Sequence, residues 1–141
     1  MMNSPTSSGL VITMNLLLDT HTFIWLVGEK HLLSSKATAA ILDTSNTLYL
    51  STASVWEMQI KLQTGKLTLP SSLDQIVQEQ QNINGVSILT IQLGHIYGLA
   101  ALPLHHKDPF DRLIIAQFIA ESMTVVGNDS KFSTYSINLL W

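Results

Sequence analysis

The chain has 141 residues, enough for one domain with a single full core and too few for two ordinary ones. Apolar residues make up 46% of it and charged residues only 12%, which excludes a disordered chain and means that each charge in an apolar context needs a reason. A net charge of −3 excludes a broad basic grip on nucleic acid, and the absence of cysteine excludes disulfides, thiolate metal sites and cysteine nucleophiles.

Residues 1–13 contain Ser, Thr, Pro and Gly and no charge. They read as a disordered extension, with the domain over 14–141 and Met14 a candidate start. The apolar run Leu10 to Leu18 is interrupted by Thr13 and Asn15 and stopped by Asp19, so it is too short to span a membrane. No basic segment precedes it, as a signal peptide requires. The expectation is a cytoplasmic protein with no membrane partner.

Met14 to Leu18 reads as a buried strand with Asp19 at its carboxyl end, followed by a short helix from His21 to Val27. Ser34 or Ser35 caps a helix running to about Asp43. Leu48 to Ser51 is a short strand, and a helix over Ala53 to Leu62 carries Glu57 before Gly65 ends the region. Pro70 and Ser71 open a helix over Leu73 to Ile83, and Val86 to Thr90 is a β-branched strand. Gln92 to Leu99 is a short helix. Asp108 to Glu121 is the clearest amphipathic helix, with Asp108 at the N-cap, Pro109 first and Asp111 third. Thr124 to Gly127 is a strand leading to Asn128 and Asp129, and Ile137 to Trp141 is a last strand.

Strands alternating with helices predict an α/β fold with a mostly parallel central sheet and helices on both faces. Ligands bind such sheets outside the carboxyl ends of the strands. Asp19 and Asp129 follow two strands directly, while Glu57 and Asp111 lie early on helices that follow loops or strands. Four acids from separate units can therefore meet at one edge. Clustered carboxylates repel unless a cation lies between them, and hard oxygen ligands suit Mg²⁺ or Mn²⁺. Such an ion would lower the pKa of a water and neutralise charge developing on a phosphodiester, which predicts phosphodiester hydrolysis. Each acid also has a plainer reading. Asp19 and Asp129 could cap turns or helices, Glu57 could be an exposed helical acid, and Asp108 is well explained as a cap.

The segments Leu18-Asp19-Thr20-His21, Ser54-Val55-Trp56-Glu57, His106-Lys107-Asp108-Pro109-Phe110-Asp111-Arg112 and Asn128-Asp129-Ser130-Lys131-Phe132 resemble the successive motifs of PIN-domain proteins. The stretch from His106 to Gln117, HKDPFDRLIIAQ, is the most specific. Within the family the chain resembles the VapC-type toxins of bacterial toxin–antitoxin pairs, from Met14 to the closing Asn138-Leu139-Leu140-Trp141. The resemblance implies a three-layer α/β/α PIN-like fold and Mg²⁺- or Mn²⁺-dependent endoribonuclease activity. It also implies a homodimer, an RNA substrate and a cognate antitoxin. By motif, Asp19, Glu57, Asp111 and Asp129 match the family's acids, and Asp108 matches a further acid that is either a cap or a peripheral metal contact.

His105 and His106 have no partner at a zinc spacing, and a loop role near the phosphate suits His106 better. Lys61, Lys66, Lys107, Arg112 and Lys131 lie near the acid-bearing segments, where some could meet RNA backbone. Thr20 or Ser130 could hold water on a metal or serve as caps. Trp25, Trp56, Trp141, Phe110 and Phe118 read as core or interface. Two other functions compete: a PIN-like binding module that has lost catalysis, and a phospho-acceptor receiver domain. The complete acid set disfavours the first. The lone Asp19 after the first strand disfavours the second.

Overall fold

Leu16, Leu17 and Leu18 of strand β1 (Asn15–Leu18) are all fully buried, which only a strand covered on both faces allows. The computed structural model describes residues 13–104, 108–129, 132, 135 and 138–141. From β1 the chain passes through α1 (Thr20–Gly28), a 3-10 turn at Lys30–Leu32 and α2 (Ser35–Leu42) to β2 (Thr47–Ser51). It continues through α3 (Thr52–Gln63), α4 (Leu73–Asn84), β3 (Ser87–Leu89) and α5 (Leu93–Gly98). A second 3-10 turn, Leu99–Ala101, precedes α6 (Pro109–Glu121), β4 (Thr124–Val126) and β5 (Leu139–Leu140). The expected extension over residues 1–13 falls almost wholly outside the described residues, as do His105, His106, Lys107, Ser130 and Lys131.

The sheet has five strands in the order β3-β2-β1-β4-β5, and every pairing among the described residues is parallel. Alternation along β1 divides the core in two. Leu16 and Leu18 join Phe23 and Leu26 of α1, Ala37 and Ile41 of α2, Met58 of α3 and Ile76 of α4. Leu17 joins Val125 of β4 and Ile114, Ile115 and Phe118 of α6. Each fully buried leucine adds about 2 kcal/mol relative to its exposed state, so both faces need their helices. The result is the expected three-layer α/β/α arrangement.

The topology decides where a site can form. From β1 the chain moves to β2 and β3 on one side, then returns to place β4 and β5 on the other. The order therefore reverses between β1 and β4, and the carboxyl ends of these two strands flank the crevice where parallel sheets bind ligands.

Candidate active site

Asp19 is the residue after β1, at that crevice. Its backbone N–H donates to the Val126 carbonyl at 3.1 Å, which carries the pairing with β4 one residue further. Its Oδ1 accepts the Thr22 N–H at 2.7 Å and so caps α1. The capping reading is therefore realised, yet it uses only one carboxylate oxygen for that bond. The side chain is 4% exposed. Burial pushes its pKa above the ordinary carboxylate value. Hydrogen bonding from Thr22 and the charge of His21 pull it down, and the charge of Asp129 raises it. The Asp129 effect is the smallest of these, and it puts the acid following β4 within electrostatic range of the one following β1.

Gly127 ends β4 beside Asp19. A Cβ placed on it would overlap the Asp19 carboxyl group, lying 2.8 Å from Cγ. The missing side chain is therefore what leaves room for that carboxylate. Thr22 closes the same corner by donating its hydroxyl to the Val126 carbonyl at 2.9 Å.

Glu57 sits in the second turn of α3 and is 7% exposed, so the reading as a solvent-exposed helical acid is replaced by a buried one. Its Oε1 accepts the Thr20 hydroxyl at 2.9 Å, and its Oε2 pairs with Lys61 Nζ at 3.0 Å. The Thr20 oxygen is also 2.9 Å from the Ser54 oxygen. A hydroxyl has one proton, so Thr20 gives its own to the carboxylate and takes one from Ser54. Thr20 is next to Asp19 in sequence, and this chain of bonds ties Glu57 to the end of β1. Thr20 thus holds an acid in place rather than serving as a cap.

Asp108 and Asp111 divide as their spacing predicts. The Asp108 carboxylate accepts the N–H groups of Phe110 and Asp111 at 2.9 and 3.1 Å and caps α6, with Pro109 at the first helical position. Asp111 stands in the first turn without being the cap. Since α6 leads into the parallel strand β4, its N-terminus lies at the carboxyl edge of the sheet. It packs there on α3, with the Phe110 ring edge-on to Trp56 at 5.1 Å, one residue from Asp111 and one from Glu57 respectively.

The side chains as they lie thus link Asp19's neighbour Thr20 with Glu57, while Asp129 follows the adjoining strand and Asp111 stands on the adjoining helix. Among the described residues, no three acids or histidines stand close enough to hold one ion. Each buried acid is instead satisfied locally, Asp19 by Thr22 and Glu57 by Thr20 and Lys61. The donor set still fits a hard divalent cation: carboxylate oxygens, one of them buried at a cost that a cation would remove.

Sequence reasoning missed Ser54, Gly127 and the buried pair Ser51 and Gln117. Nothing in a Ser or Gln marks it as buried. Gly127 could have been suspected, as a glycine one residue past a β-branched run and two before an acid. The Arg112 guanidinium donates to the carbonyls of Pro103 and Leu99 at 3.0 and 3.3 Å, which uses two of its five N–H groups.

Solved structures share this architecture. VapBC2 from Rickettsia felis, bound to a DNA fragment from the promoter, aligns with a TM-score of 0.68 at 20% identity over 89% of this chain and 97% of that one. DNA-bound VapBC from Salmonella typhimurium aligns at 0.62 and 16% identity over 89% and 96%. FitAcB from Neisseria gonorrhoeae aligns at 0.57 and 19% over 88% and 95%. No curated protein matches the sequence. The sequence model of the PIN domain matches residues 16–138, from the first buried leucine of β1 to the residue before β5, and the chain belongs to the PIN domain family.

Proposed function

We propose that this chain is a metal-dependent endoribonuclease acting as the toxin of a toxin–antitoxin pair. The observation that carries the reading is the placement of Asp19. It is buried at the sheet's switch point and raised in pKa by that burial, and Asp129 follows the neighbouring strand β4. Glu57 is tied to its neighbour. Asp19, Glu57, Asp111 and Asp129 would hold Mg²⁺ or Mn²⁺, with Asp108 kept to its capping bonds. A divalent ion there would supply the positive charge that lets a phosphodiester approach and that stabilises charge developing on its oxygens. The chain's own residues place the ligands: Thr22 orients Asp19, Thr20 orients Glu57, and Gly127 leaves the space.

The partner reading draws on the similar structures VapBC2, VapBC and FitAcB and on a toxin–antitoxin complex from Klebsiella pneumoniae. A cleft of about 640 Å³ lies between α3 and α4, lined by Val55, Leu62, Leu73 and Val77 with glutamines at its rim. It suits an amphipathic antitoxin segment laid against α3, with a basic side chain directed toward the acids. Leu93, Ile96 and Tyr97 of α5 and Ile119 of α6, the helix α5 packs on, are exposed apolar groups that would be covered in a homodimer. No helix among the described residues is long and apolar enough to cross a membrane.

The test is cleavage of a total RNA preparation by the purified chain with Mn²⁺, with Mg²⁺ and with chelator. Ion-dependent fragments that vanish in Asp19→Ala would bear the reading out. Fragments that form equally in chelator would overturn the metal dependence, and none under any ion would leave the chain a binding module.

A further inference from the structure

Lys61 is the described lysine that touches a site acid. Its Nζ lies 3.0 Å from Glu57 Oε2, four residues back on the same helix, and its side chain is 35% exposed against 9% for Glu57. The other Glu57 oxygen is taken by Thr20. Both oxygens of this buried carboxylate are therefore occupied, one by a neutral donor fixed in the core and one by a cation at the surface. A metal ion arriving at Glu57 meets the ammonium on the oxygen that no core group holds, and two cations do not share one carboxylate without mutual repulsion. Thr20 cannot leave easily, since it is buried and held by Ser54. Lys61 can, because its head already reaches solvent on a flexible stem.

Direction matters as much as charge. Helical side chains lean toward the N-terminus, so Lys61 points from the third turn of α3 back toward the sheet edge that holds Asp19 and the β4 end. Released from Glu57, its ammonium stays beside the acid site, where it can meet a phosphate.

Resting on the nuclease reading above, we propose that Lys61 is a cation exchanger in the site. It neutralises Glu57 while no ion is bound, and it moves to the RNA phosphate backbone when an ion takes Glu57. The chain then holds its buried acid neutralised in both states. It also gains affinity for substrate only once the ion needed for cleavage is present.

The test compares wild type, Lys61→Met and Lys61→Arg. Mn²⁺ binding is measured by calorimetry. Binding of a fluorescent single-stranded RNA is measured in Ca²⁺, across a salt series. Lys61→Met is expected to bind Mn²⁺ about two- to fivefold more tightly, the scale of one partly exposed ion pair. It is expected to bind RNA several-fold more weakly, with a salt slope shallower by about 0.7, the loss of one phosphate contact. Lys61→Arg should restore the salt slope. Circular dichroism checks that the methionine variant, changed at a partly exposed position, remains folded. If Mn²⁺ affinity or the RNA salt slope of Lys61→Met stays at the wild-type value, the exchange is overturned. Neither readout requires cleavage. A wild type that binds Mn²⁺ and RNA but cuts nothing fails the nuclease reading while leaving the exchange to be judged on its own arms.

Discussion

At the scale of single residues, the site acids differ in what each costs the fold. Asp19 is buried, and its raised pKa means that the folded chain holds its proton more tightly than the unfolded chain does. Stability from this group is thus greatest below the unfolded value of about 3.9 and falls as pH rises through the raised folded value. Asn at position 19 still accepts the Thr22 N–H, since Asn and Asp cap about equally, but carries no charge. Without metal, Asp19→Asn should melt higher than wild type at pH 7, and the gap should close as pH falls toward 4. Melting curves of both proteins across that range in chelator would show it, and a gap that widens on acidification would refute it. Asp108 and Asp111 make the complementary pair. Asp108→Asn keeps the cap and should leave stability and cleavage nearly unchanged. Asp111→Asn should lower Mn²⁺-dependent cleavage by about two or more orders of magnitude, the scale of losing a principal electrostatic group. Reversed results would exchange their roles.

At the scale of elements, two polar details of α6 carry measurable energy. The helix ends at Ser122 with φ 55°, in the left-handed region where a side chain costs about 1–2 kcal/mol and glycine does not. Ser122→Gly should raise stability by up to about 1 kcal/mol in urea unfolding. Within the helix, Gln117 is fully buried; it accepts from the Ser51 hydroxyl and donates to the Leu89 carbonyl at 3.4 Å. Ser51 caps α3 by accepting the Ala53 N–H. One side chain thus joins the carboxyl ends of β2 and β3 to the start of the helix that carries Glu57. Gln117→Met removes both partners and should destabilise by about 1–3 kcal/mol. These details also mark what the sequence could tell. The elements were legible because their signals are local: the leucine run before Asp19, the Ser34 cap, Asp108-Pro109, and β-branched runs after turn residues. Observed boundaries differ from expectation by a residue or two, where helices fray or strands pair for less than their apolar length. The 3-10 turn at Lys30–Leu32 has no periodicity to reveal it. The acids stand out in the sequence through their positions after strands, but what holds Asp19 and Glu57 does not. Thr20, Ser54, Gly127 and Lys61 act through neighbours 34 to 108 positions away or through one helical turn. Only folding brings such neighbours together.

At the scale of the whole molecule, the ion and the partner's apolar anchor should act through separate surfaces. Asp19 follows β1 where the strand order reverses, so an ion held by the four acids would tie β1, α3, α6 and the β4 end together. Saturating Mn²⁺ or Mg²⁺ should stabilise the fold by about 1–3 kcal/mol, seen as a rising melting temperature across a millimolar titration. An unchanged temperature would count against ion binding at this edge. The α3–α4 cleft uses another face of α3: Val55, Gln59 and Leu62 line it, whereas Glu57 and Lys61 pair beside the crevice. Val77 is half-buried on the cleft wall of α4. A carboxylate there would stand in the path of an apolar anchor without approaching Asp19. Val77→Glu should therefore weaken the complex with the adjacent reading frame's product by at least about tenfold, as loss of a central apolar contact does. RNA cleavage by the isolated chain should stay within about twofold of wild type. Co-purification of the two products, followed by titration of the antitoxin into a cleavage reaction, measures both quantities on one pair of proteins. Full inhibition of Val77→Glu at wild-type antitoxin concentrations would move the antitoxin to another surface. Loss of cleavage in the variant alone would mean that the cleft and the acid edge are one site.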